Sequence, residues 1–267
     1  MPALLSTIAS TVPMPVLCVL FIIACVLLSQ AALSLFQKVF TSNNAGLNNE
    51  AAGIVFGGIS LIYSLVLAFV IVAVWDDYRE LEKTIEGETD KLTGILQHTE
   101  VLSDSIKISV QENVYGYCSE VINNEWETST DNTAIEQPNT LRVLRSQLLT
   151  IDAHDRSESN ILNVIDNELD ALDDLRRNRL YHSHSEVPDM VWFILNAGSA
   201  MMVIFFFFFN VPSPKMKRIY LSFLVSFIAM CMFLVYTLDH PFSYKQGITN
   251  DLYKDVQNQL KDNGYIE

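Results

Sequence analysis

The sequence predicts an all-α protein with four transmembrane helices and a long helical extramembrane insert between the second and third. Three observations lead there. First, Asp, Glu, Lys and Arg are absent from Met1–Gln37, Ala51–Trp75, Met190–Pro214 and Ile219–Leu238. About 20 apolar residues at helical rise match the roughly 30 Å hydrocarbon core. Second, backbone polar groups in lipid must be satisfied within the segment, so each run is expected to be a helix. Third, the stretch between the two pairs of runs is charged and carries apolar residues at spacings of three and four, the mark of an amphipathic helix.

The spans are placed near Met14–Phe36, Gly53–Trp75, Met190–Val211 and Ile219–Leu238. Residues 1–75 hold the first pair, 76–188 the insert, 189–240 the second pair and 241–267 a C-terminal tail. Pro13 and Pro15 mark the first start, since proline is tolerated where a helix begins. No Lys or Arg precedes the first apolar run, and the run exceeds a signal-peptide core, so a retained span is expected. Asn43, Asn44, Gly46, Asn48 and Asn49 make the first connection a turn. Only Pro212–Arg218 joins the last two spans, which must therefore be antiparallel neighbours.

In the insert, Leu81, Ile85, Glu88, Leu92, Ile95, Thr99, Leu102 and Ile106 alternate in steps of four and three. Glu88 and Thr99 are the two polar interruptions. The stripe continues through Val110, Val114, Tyr117 and Val121, which predicts one helix running straight on from the second span. Gly87 and Gly94 have no proline beside them and are expected to lie within it. Pro138 and Asn139 reset the chain. Leu141, Leu144, Leu148 and Ile151 begin a return helix, and Ile161, Ile165, Leu169, Leu172 and Leu175 continue it after a break near 155–159. The two stripes predict a coiled-coil-like hairpin.

The charge is localised. Asp76 to Asp189 holds 10 Lys+Arg against 25 Asp+Glu, a net of −15, whereas the rest of the chain carries 7 against 6. Such an insert repels nucleic acid and draws cations towards it. An even number of spans puts both termini and the insert on one side. Arg79, Lys83, Arg176, Arg177, Arg179, Lys245 and Lys254 flank span ends there, against Lys38, Lys215, Lys217 and Arg218 opposite. That balance favours a cytoplasmic insert and termini in a multi-pass cell-membrane protein, the inner membrane if the source is bacterial.

Span two carries a line of small residues, Gly53, Gly57, Ser60, Ser64 and Ala68, including a GxxxG element that permits close helix approach in lipid. This face either packs on a neighbouring span or shares in lining a pore, and Ile59, Ile62 and Val66 are candidates for an apolar constriction. Asp76, Asp77 and Glu80, a turn beyond the span, are candidates for vestibule charge. Phe205 to Phe209 cover every face of a helix, so some are expected to meet lipid. Asn196 is expected to hydrogen-bond to another helix.

Arg176, Arg177 and Arg179 could contact phosphate headgroups. Pairing along their own helix with Asp170, Asp173 and Asp174 competes with that role. Cys18, Cys25, Cys118 and Cys231 form no disulfide or thiolate-metal spacing, and His182 with His184 is no metal pair. No nucleophile accompanies His154-Asp155 or Asp239-His240, and no P-loop, dinucleotide fingerprint or zinc-protease helix is present. Neither an enzyme nor a cofactor or metal is expected.

In their order along the chain these residues resemble the bestrophin-like family of membrane proteins. The resemblance covers roughly Asn48 to the C-terminus. It rests on Gly53, Tyr63, Ala68-Phe69-Val70 and Trp75 in span two, then Tyr117 and Glu125-Trp126 in the insert. Asp174-Leu175-Arg176-Arg177-Asn178-Arg179-Leu180, Pro188 with Trp192, and Asp239-His240-Pro241-Phe242 complete it. It implies the two-plus-two span plan with a helical cytosolic insert. By analogy with bestrophins proper, it implies a pentameric ring conducting small inorganic ions, with span two at the pore. The chain departs from bestrophins proper in lacking an Arg-Trp-x-Gly-Ser element near its start and an acidic calcium clasp. The expected function is a homo-oligomeric, cation-preferring channel in the lipid bilayer. The alternative is a non-conducting scaffold or sensor whose acidic hairpin binds a partner.

Overall fold

A computed structural model describes residues 13–39, 49–126, 139–148, 156–183, 187–242 and 247–262. Among these the chain is helical and contains no strand. The helices are α1 (Met14–Val39), α2 (Asn49–Thr99), α3 (Asp104–Glu120), α4 (Asn139–Leu148), α5 (Arg156–Ser183), α6 (Asp189–Phe207), α7 (Pro214–Asp239) and α8 (Asp251–Asp262). Four of them, α1, α2, α6 and α7, are long and apolar enough to cross a membrane. The chain divides into two compact units, Met1–Asp76 with Glu186–Gln246, and Asp77–Ser185 with Gly247–Glu267.

The first unit holds the four apolar helices. One core gathers Tyr63 and Leu67 of α2, Leu195 and Met202 of α6, and Ile228, Met232 and Val235 of α7. A second joins Leu33 of α1 to Phe207, Leu221 and Val225. The closest approach is at Gly198, where a Cβ would lie 2.5 Å from the Tyr63 ring. The Tyr63 hydroxyl donates to the Leu195 carbonyl at 3.1 Å, which holds the ring in place. The phenylalanine run divides between two partners. Phe207 lies tilted and Phe208 edge-on against Phe36 of α1, and Phe205 lies tilted and Phe209 edge-on against Phe56 of α2.

The turn between α6 and α7 departs from the sequence expectation. Apolarity placed the third span to Val211 and the fourth from Ile219, but α6 stops at Phe207 and α7 starts at Pro214. Backbone chemistry sets these ends. Ser213 caps α7, its Oγ accepting from Met216 N, with proline in the first turn. Lys217 Nζ donates to the carbonyls of Phe207 and Phe209 at 2.9 and 2.8 Å, satisfying acceptors that a helix end leaves open. Asn49 and Asn210 exchange amide and backbone hydrogen bonds, tying the start of α2 to the same turn.

Asn196 also differs from expectation. Its Nδ2 donates to Trp192 O one turn back at 2.8 Å, so the amide is satisfied within its own helix.

The second unit is a bundle of amphipathic helices. Leu81, Ile85, Leu92 and Ile95 of α2 and Ile165, Leu169 and Leu172 of α5 are buried. Lys91 pairs with Glu168, and a Cβ at Gly87 would touch Leu175 at 3.4 Å, so the two helices run antiparallel. As expected, α2 passes through both Gly87 and Gly94. Its continuation to Val121 is not observed. The helix ends at Thr99, a turn follows, and α3 begins after Ser103, whose extended backbone (φ −61°, ψ 150°) breaks the helical path. Apolar spacing alone does not detect such a break, because Leu102 and Val110 are buried on both sides of it. A π-helical turn, Val121–Glu125, closes α3. Helix α8 lies on α3, with Gln257 Nε2 donating to Ser119 Oγ at 2.7 Å.

Candidate functional site

Span two presents two unlike faces. Ile59 and Val66 pack partly against the core of Tyr63, Leu67, Leu195 and Met202. Ser60 belongs to that side too, its hydroxyl donating to Phe56 O at 2.6 Å with Met202 Sδ at 3.3 Å. On the other side lies Gly57, exposed, where a methyl group would meet nothing within 4 Å; Gly53, half-buried, has room for one as well. Ser64 and Ala68 are exposed there, as are Ile54, Leu61, Leu65, Phe69 and Val72. Ile62 is 67% exposed. The structure therefore separates the three constriction candidates: Ile62 lies on the open face, whereas Ile59 and Val66 flank it. The small-residue line divides likewise, with Ser60 packed, Gly53 half-buried and Gly57, Ser64 and Ala68 exposed. Asp76, Asp77 and Glu80 are exposed.

The second unit has a buried ionic centre. Arg179 Nε donates to Glu88 Oε2 at 2.8 Å and its Nη2 to Glu125 Oε2 at 2.6 Å. Arg176 donates from Nε and Nη2 to Glu125 Oε1 at 2.9 and 2.6 Å. The Tyr117 hydroxyl donates to Glu88 Oε1. The Tyr253 ring of α8 closes the centre, with the Arg179 guanidinium 5.8 Å from its centroid and Trp126 edge-on to it. Two guanidinium groups and two carboxylates balance in charge, which burial requires.

The electrostatics follow from that burial. Desolvation, and then the Glu88 carboxylate, push the Tyr117 hydroxyl well above its ordinary range. The Cys118 thiol is pushed up to about 12 by the same two causes. Burial works to discharge Arg179, but Glu88 and its other neighbours outweigh this and hold the guanidinium firmly charged.

The headgroup role expected of the arginine cluster is thereby corrected for two of its members. Arg176 and Arg179 are buried and turned inward. Arg177 alone is exposed, and it pairs with Asp174. The sequence did not reveal Glu88 and Glu125 as partners, because they lie 91 and 54 residues from Arg179. The available signal was Glu88 itself, a carboxylate at a core position of an apolar stripe.

A second polar fixture stands where α6 begins. Asp239 Oδ1 accepts the Val187 N–H at 2.7 Å and Oδ2 accepts Trp192 Nε1–H at 3.2 Å. Trp192 packs edge-on against Tyr236, which stacks on His240 at 4.5 Å. Among the described residues, no group of three or more His, Cys, Asp or Glu could hold a metal ion.

The family model for the bestrophin-like domain matches residues 23–251. The chain belongs to the bestrophin-like family. That match takes in α1 from residue 23 onward, the whole of α2, α6 and α7, the ionic centre except the α8 contact, and the Asp239 fixture. None of the curated proteins matches the sequence. Among solved structures, this bestrophin-like chain is similar to a bestrophin homologue from Klebsiella pneumoniae, known as several single-site variants. One variant matches with a TM-score of 0.70 at 12% identity, over 92% of this chain and 98% of that one. Another matches with a TM-score of 0.68 at 13% identity, over 94% and 98%. At identities this low, the TM-scores show a shared fold and nothing further.

Proposed function

We propose that this bestrophin-like protein assembles as a homo-oligomer, a pentamer by analogy, and conducts small inorganic ions with a preference for cations. The observation that carries the reading is the open face of α2. That face is apolar, carries glycines with room beside them, and has no partner within the described chain. In a ring of copies it would be shared between subunit contacts and a central path. Ile62 would form the constriction, extended by Leu65 and Phe69, with Ile59 and Val66 behind it. An uncharged apolar constriction gates by dewetting and does not prevent conduction.

The cation preference rests on the −15 of the insert, which would lie at a cytoplasmic mouth. Asp76, Asp77 and Glu80 stand nearest the span in sequence. Fixed charges act over about one Debye length, roughly 8 Å at physiological salt, so these exposed carboxylates would contribute most. The test is reversal potential in asymmetric salt across planar bilayers. The parent is expected to favour cations, and Asp76→Asn, Asp77→Asn, Glu80→Gln together are expected to reduce that preference. Anion preference in the parent would refute the electrostatic reading. Silence from well-reconstituted oligomers would favour the scaffold instead.

A further inference from the structure

A pocket of about 430 Å³ opens among α1, α6 and α7, all within the first unit. We propose that it binds a neutral membrane lipid headed by a hydroxyl, which donates to Asn196 Oδ1.

Side-chain size leaves the space. Small residues line it from three sides, Ser29 and Ala32 on α1, Ser199 and Ala200 on α6, and Ala229 on α7. Helix α1 packs along α7, and its aromatic contact with α6 comes at the far end of both, Phe36 against Phe207. The gap left between them has the volume of a small-molecule site. Leu28 and Ile204 line it and are exposed, so a ligand enters sideways from the bilayer.

Two observations fix the ligand's chemistry. The first is that the strong donors lining the pocket are already spent. Ser29 Oγ donates to Val26 O, Ser199 Oγ to Asn196 O and Asn196 Nδ2 to Trp192 O, each at 2.8 Å. Cys25 adds only a weak S–H donor. A carbonyl can only accept, so the Asn196 amide cannot be turned over, and its bond to Trp192 serves the donor side alone. Asn196 is exposed, and its Oδ1 accepts no hydrogen bond among the described residues. Hydrocarbon has no donor to give it, so the ligand must bring one. A second copy's α2 would not, because the one donor on its exposed apolar face, Ser64, is bonded to Leu61 O. The second observation is depth without charge. No Asp, Glu, Lys or Arg lines the pocket. Asn196 stands about 10 Å along α6 from Asp189, beyond a headgroup layer of roughly 5–8 Å. A phosphate drawn there would have no counter-charge, whereas a hydroxyl needs none.

The test is photolabelling of the full chain in phosphatidylcholine bilayers with a diazirine-bearing hexadecanol, the labelled peptides being read by mass spectrometry. Hexadecanol and its methyl ether, which has no donor, serve as competitors. Label is expected on α1 and α6 beside the pocket. The alcohol is expected to displace it at about fivefold lower membrane content than the ether, the ratio that about 1 kcal/mol provides. Asn196→Leu should abolish that difference, and Ser64→Ala on α2 should keep it. Equal displacement by alcohol and ether, or label spread over every lipid-facing helix, would overturn the site. Label confined to dissociated protomers would give the pocket to a second copy and overturn it as well. Should Asn196→Leu not fold, the alcohol against the ether on the parent still decides. The readout is binding alone, so a protein that proves silent in bilayers leaves this outcome unchanged.

Discussion

Arg179 and Glu88, 91 residues apart in sequence, form an ion pair 2.8 Å long with side chains 1% and 0% exposed. The pair brings an interruption in one apolar stripe against a basic position in another. Its worth to stability lies chiefly in what remains when one member is removed.

Arg179→Met is expected to destabilise the protein by about 3–5 kcal/mol, because Glu88 is left buried without a counter-charge. Glu88→Gln combined with Arg179→Met should cost less than the two single changes added together. Arg177→Gln should stay within about 0.5 kcal/mol, since its pair with Asp174 is exposed. Denaturant or thermal unfolding in detergent measures the four variants against the parent.

Gly198→Ala should destabilise the protomer by about 1–3 kcal/mol, since its methyl group would overlap the anchored Tyr63 ring. Gly57→Leu has open space within the protomer, so its effect should fall on assembly, and more heavily than that of Ile54→Leu. Unfolding midpoints separate the first effect from the second, which mass photometry of the oligomer reads. Equal assembly of the Gly57 and Ile54 variants would remove the glycine face from the interface.

Stability should fall with alkali through the Cys118 thiol. Its folded-state value of about 12 lies above the ordinary 9.0, so the native state holds the proton while the unfolded state releases it. The thiol's contribution is intact below the ordinary value and is lost as pH rises towards the folded one. Tyr117 and Tyr253, raised by burial, act in the same sense at higher pH. Between about pH 9 and pH 11 the loss approaches about 1.4 kcal/mol per unit for one group. Cys118→Ala should flatten that slope in unfolding midpoints measured across the range. An unchanged slope would assign the effect elsewhere.

Asp239→Ala should leave the Val187 N–H and the Trp192 indole without their acceptor, costing about 1–3 kcal/mol. The measurement is Trp192 fluorescence with Trp75 and Trp126 replaced by Phe. A changed emission maximum and easier quenching are expected, and the parent spectrum would show that the indole is held by other contacts.

Much of the architecture could be read from the residues because it follows from one-dimensional constraints. A charge-free run such as Ile219–Leu238 is too long and too apolar to be anything but a membrane helix, and α7 covers it. Gly87 and Gly94 cost the helix only about 1 kcal/mol each, so α2 continues through them. The helix ends were less legible. The limits at Phe207, Pro214 and Ser103 depend on which group caps which carbonyl or N–H, and apolar spacing carries no record of that.

The sequence by itself determined four spans, an amphipathic helical insert and where the negative charge is concentrated, because length, period and composition are local properties. Only the tertiary structure decided that Arg176 and Arg179 turn inward to Glu125 and Glu88, and that Lys217 closes the end of α6. It also decided which side of span two stays open. The reason is that a buried charge or close-packed glycine is defined by its partner. Those partners stand up to 135 positions away, as Gly198 stands from Tyr63.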